Sequence, residues 1–125
     1  MKLEYLPTGS PDCPLIRLFA FSREEVICLK SLLESLSHSS ANDVALHEQL
    51  GIEQVNTCRL YLRVGKSDCG VRTVGPGTFE CVLSEAAWDN MTWLVEPFCK
   101  AHPSGYQWLN PSADINSLLS HDGKW

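Results

Sequence analysis

Three successive stretches between positions 58 and 83 alternate apolar and polar residues, and that period predicts strands over 58–64, 69–74 and 79–83. A connection of Gly65, Lys66, Ser67 and Asp68 would set Val64 opposite Cys69, Leu62 opposite Val71 and Leu60 opposite Thr73. A turn of Gly75, Pro76 and Gly77 would set Val71 opposite Cys81 and Cys69 opposite Leu83. In that register Cys58, Leu60, Leu62, Val64, Cys69, Val71, Phe79, Cys81 and Leu83 all fall on one face. A slip of one residue in either hairpin would scatter them over both faces. The pattern therefore predicts an antiparallel meander with one buried side.

Two stretches carry the helical period instead. Ser22 followed by Glu25 is a capping box, with Phe21 and Val26 placed as a hydrophobic staple. Val26, Leu29, Leu32, Leu33 and Leu36 then form one apolar stripe, which ends in the serines around His38. Ser84 caps a second helix, with Glu85 at its positive end and Ala87, Trp88, Met91, Leu94, Val95 and Phe98 as its buried stripe. Pro97 should kink or end it. Further strands are expected over 15–21, 44–49, 106–109 and 115–120, with a turn over 110–114. Residues 1–13, rich in Pro, Gly and Ser, are expected to be loosely ordered. The predicted order is β-α-β-β-β-β-α-β-β: an α+β fold in one domain over 1–125, with both helices on the apolar face of the sheet.

Composition narrows the class. At 125 residues the chain can bury a core without metal or disulfides. No apolar run reaches the length of a membrane helix and no leader-like stretch opens the chain, so a cytoplasmic protein is expected. Its cysteines, with no C-x-x-C pair, read as free thiols rather than a disulfide framework or zinc site. A net charge of −5 argues against a nucleic-acid binder.

Charge is nonetheless uneven. The segment 59–72 carries +3 and the rest of the chain −8. The polar face of the predicted meander presents Arg59, Tyr61, Arg63, Arg72 and Glu80, with His47 joining if its strand pairs alongside. The register puts Tyr61, Arg72 and Glu80 in one cross-strand row. Arg and Tyr are favoured at interfaces, so this face is the candidate binding surface for an acidic partner. A small enzyme for an anionic substrate is the alternative, with Arg63 and Arg72 holding the anion and His47 or Tyr61 moving a proton. Trp93, expected to be covered by the C-terminal hairpin, forms with Trp108 and Trp125 the candidate interface for a homodimer if left open.

Three motifs fall away. Gly65-Lys66-Ser67 lacks the first glycine of a phosphate-binding loop, since Leu60 stands there, and it opens a strand rather than a helix. Cys99 and His102 have no third group to orient them. Asn90-Met91-Thr92 has the glycosylation spacing but sits inside a predicted helix. The expected function is a binding or protein-interaction domain with no cofactor and no membrane partner.

Overall fold

The alternating stretches do form strands, but in an order their alternation does not dictate. In the computed structural model, which describes residues 1–100, 102–109 and 114–125, the chain runs through β1 (Lys2–Leu6), β2 (Leu15–Phe19), α1 (Arg23–Ser37), β3 (Asp43–Ala45), β4 (Glu53–Gln54), β5 (Arg59–Val64), β6 (Gly70–Gly75), β7 (Thr78–Leu83), α2 (Glu85–Val95), β8 (Tyr106–Trp108) and β9 (Asn116–Ser120). The class is α+β. Two sheets replace the expected single one: β4-β1-β2-β9-β8 and β3-β5-β7-β6.

The β6–β7 hairpin has the predicted register, with Val71 against Cys81, and a bulge between Thr73 and Gly75. The β5–β6 hairpin does not form. β7 inserts between them, antiparallel to β6 and parallel to β5, with Leu62 against Cys81 and Val64 against Leu83. The reason lies in the parity of the pattern. Leu62, Cys81 and Val71 share a row whichever strand stands in the middle, so one-faced burial cannot distinguish the two orders. The connection from Gly65 to Cys69 is thus a crossover past the end of β7. The Gly65 amide donates to the Leu83 carbonyl at 3.0 Å and the Cys69 amide to the Val82 carbonyl at 2.9 Å. The crossover leaves Cys69 exposed rather than on the buried face. It also explains Gly65, where an added Cβ would lie 2.6 Å from Val82 Cγ1.

Both helices follow their local signals. The Ser22–Glu25 capping box is complete in both directions. The Ser84 hydroxyl accepts the Ala87 amide. The stripes of α1 and α2 pack on each other and join one core cluster with the inner faces of both sheets. Trp88, fully buried, donates its indole N–H to the Arg63 carbonyl at 3.1 Å, which ties α2 to β5. No helix among the described residues is long and apolar enough to cross a membrane.

The ends of the chain depart from expectation. Lys2–Leu6 is a strand, paired to β2 and β4, with Leu3 fully buried and the Tyr5 ring 4.4 Å from that of Phe79. It pairs with the next strand through a turn-rich connection and with distant β4, and the Pro, Gly and Ser of residues 7–13 masked the short alternation of 2–6. The expected strand over 44–49 stops at Ala45 and becomes a 3-10 turn, Leu46–Glu48. β9 enters the first sheet parallel to β2, and Ile115 just before it bridges to Val71 of the second sheet. Most of the turn expected over 110–114 lies outside the described residues.

Candidate functional site

The outer face of the second sheet brings most of the sequence-derived residues together. Tyr61 and Arg72 both pair with Glu80, so the expected row exists as Tyr61–Glu80–Arg72. The strand order puts the acid, not the arginine, at its centre. Arg63 Nη1 donates to Glu80 Oε2 at 2.6 Å and Arg72 Nε to Oε1 at 2.5 Å. Glu80 is only 5% exposed. A buried carboxylate is stable only when paired and hydrogen-bonded, and the two guanidinium groups meet that need. Arg63 Nε also donates to Asp43 Oδ1 at 3.2 Å. The Asp43 carboxylate, with Glu80 beside it, holds Arg63 above the ordinary guanidinium value.

Tyr61 is fixed from both sides. The Arg63 guanidinium stands over its ring at 5.2 Å, and the His47 ring meets it edge-on at 5.0 Å. His47 is held in turn by β5. Its Nδ1 accepts the Leu60 amide at 3.1 Å and lies 3.3 Å from the Leu60 carbonyl oxygen. The cause is the short reach of β3, which pairs with β5 only as far as Ala45–Tyr61. Beyond that point the Leu60 amide has no strand partner, and the imidazole replaces one.

Arg59 is exposed and makes no ion pair among the described residues. It lines an open recess of about 400 Å³ together with His47, Glu48, Gln54, Thr57 and Tyr61. Asn56 and Thr57, which border the recess, hold left-handed φ values of 54° and 57°. For Thr57 that conformation is strained by its branched Cβ. Sequence reading missed Gln54 and Thr57, because they join the recess through a turn that carries no motif.

The tryptophans separate. Trp93 is 69% exposed on α2, beside Lys30, Glu34, His38, Asp89 and Glu96, and the C-terminal hairpin does not cover it. The hairpin goes to the first sheet instead. Trp108 and Trp125 line a different recess with Tyr106, and Trp125 donates its indole N–H to Asp12 at 2.9 Å. The three residues therefore do not share one recess. The Cys99 thiol lies against the Val26 and Val95 carbonyls at 4.0 Å, and it forms no hydrogen bond with His102 among the described residues.

A larger apolar groove was not anticipated. Its walls are one flank of α1, with Ile27, Cys28 and Leu32, and the segment after β3, with Gln49, Leu50 and Ile52. Nothing in the sequence alone brings 46–52 alongside α1; the pairing of β4 with β1 does so. Compared with models of protein families, with curated proteins and with solved structures, the chain matches none.

Proposed function

We propose that the protein is a non-catalytic interaction domain that docks an acidic protein segment on the outer face of its second sheet. The observation behind this reading is the grip of buried Glu80 on two guanidinium groups that stay 40% and 57% exposed at Arg63 and Arg72. Each guanidinium has more donors than these contacts use. Side chains already ordered in the free protein lose less entropy when a partner arrives. Tyr61, clamped between Arg63 and His47, supplies a rigid aromatic surface of the kind that dominates binding energy. Arg59, which lines the open recess together with Glu48, adds a guanidinium with no ion pair among the described residues.

The enzyme alternative needs Arg63 and Arg72 to line a pocket that holds a small anion, and neither lines the recess beside Arg59. That placement favours docking over catalysis.

The test avoids Arg63, whose loss would leave Glu80 under-paired. Affinity capture with the wild-type chain is compared with capture by an Arg59→Glu, Tyr61→Ala variant of unchanged circular dichroism and melting temperature. The reading expects proteins captured by the wild type to be lost by the variant, and the wild-type captures to weaken with added salt. Undiminished capture by the variant would sink it.

A further inference from the structure

We infer that the groove between α1 and residues 46–52 is a second docking site, which takes a basic amphipathic helix of another protein. The groove has a volume of about 650 Å³. Its floor is Leu29 and Leu46, both part of the core cluster, so it is rooted in rigid structure. Apolar side chains meet solvent at its edges. Leu50 is fully exposed and Ile27 is 38% exposed, and both line the same groove. A single exposed Leu is ordinary, but exposed apolar side chains that flank an apolar channel mark a binding surface.

Charge selects the occupant. The lining contains Glu24 and Glu25 and no Lys or Arg. The residues of the outer wall that line it, at 46 and 49–52, carry no charge. Glu25 meets the Met1 ammonium, and Glu53 lies 3.9 Å from Lys2 Nζ. Glu24 has no ion pair among the described residues. An apolar channel bordered by acid complements a helix with an apolar stripe and lysine or arginine on its flanks. A second copy fits less well. A two-fold contact would set this acidic lining against itself in a chain of net charge −5. Backbone pairing is also closed on the α1 wall, where the amides are used within the helix, so recognition falls to side chains.

The probe is a synthetic amphipathic peptide of leucine and lysine in helical pattern, titrated into the full chain and followed by fluorescence anisotropy. Two control peptides separate the contributions: the same composition scrambled, and the same pattern with glutamate in place of lysine. Saturable binding of the patterned lysine peptide is expected, at least tenfold tighter than either control. Leu50→Asp and Ile27→Asp should each weaken it tenfold or more. Trp93→Ala, an exposed apolar residue elsewhere, should leave it unchanged. Both groove substitutions lie on the surface, and unchanged circular dichroism identifies folded variants. The exposed Cys28 thiol in the groove gives an independent readout: the peptide should slow its reaction with a disulfide reagent and leave that of Cys69 unaltered. Equal binding of patterned and scrambled peptides, binding indifferent to Leu50→Asp, or no binding would overturn the inference. So would self-association of the chain that Leu50→Asp abolishes.

Discussion

Gly65 does its work through what it lacks. The chain crosses the end of β7 so closely that a methyl group at this position would overlap Val82 Cγ1 at 2.6 Å. Gly65→Ala is therefore expected to destabilise the fold by about 1–3 kcal/mol, the usual cost of overpacking. Val82→Ala removes the opposing atom, so the double variant should recover most of the loss. Urea melts of the two single variants and the double variant measure that coupling, and strict additivity would contradict the crossover. His47 makes a comparable point about a polar contact. Its Nδ1 is the acceptor for the half-buried Leu60 amide at 3.1 Å. His47→Phe keeps a ring against Tyr61 but leaves that amide unpaired, at a cost of about 1–3 kcal/mol. His47→Asn, able to accept, should cost less. If both melt alike, the imidazole is not replacing a strand partner.

At the scale of elements, the crossover also holds a helix. Asp68 Oδ1 accepts the amide of Ser84, the N-cap of α2, at 2.8 Å. That bond to the Ser84 backbone holds the Asp68 carboxyl below its ordinary value. A depressed carboxylate stabilises the fold above its unfolded pKa and loses that contribution as pH falls through the folded value. Asp68→Ala should therefore lower the melting temperature at pH 7, and the gap to wild type should close under acid, below about pH 4. A gap independent of pH would show that the charge plays no part. The two helices were legible because caps and apolar stripes are local: Ser22, Glu25 and Ser84 act on residues within one turn. The faces of β5, β6 and β7 were legible for the same reason, since Leu60, Leu62, Val71 and Cys81 each bury as their alternation requires. Strand order was not, because exchanging β6 and β7 leaves Leu62, Cys81 and Val71 in one row. The row of Tyr61, Glu80 and Arg72 was read correctly, yet its meaning changed once Glu80 moved to the centre and took up both arginines. The groove beside Leu50 was invisible for a third reason: it is made by contacts between segments distant along the chain.

The molecule as a whole presents an acidic chain with one arginine-lined sheet face and an apolar groove with Glu24 and Glu25 in its lining. Both surfaces rest on the same core, to which both sheets and both helices contribute. Val71 sits at the junction, buried on the inner face of β6 and bridged to Ile115 beside β9. A core shared in this way should unfold in one step rather than sheet by sheet. The cysteines allow this to be measured at known places. Burial pushes the Cys81 thiol up to about 12, and burial with the nearby Glu4 charge pushes Cys58 up to about 11. The thiolate is the reactive form, so both should be inert in the native state. Cys28 and Cys69 are exposed and should react first. Pulsed thiol labelling along a urea series, read by mass spectrometry, should show Cys58 and Cys81 becoming reactive together. Their shared midpoint should match that of far-ultraviolet circular dichroism. Both belong to the second-sheet side of the core, so a cysteine placed at Leu119, fully buried in β9, extends the measurement to the first sheet. Coincidence of all three midpoints is the expected result. A Leu119→Cys midpoint displaced from the other two would mean that the sheets unfold separately and that the Val71–Ile115 bridge does not couple them.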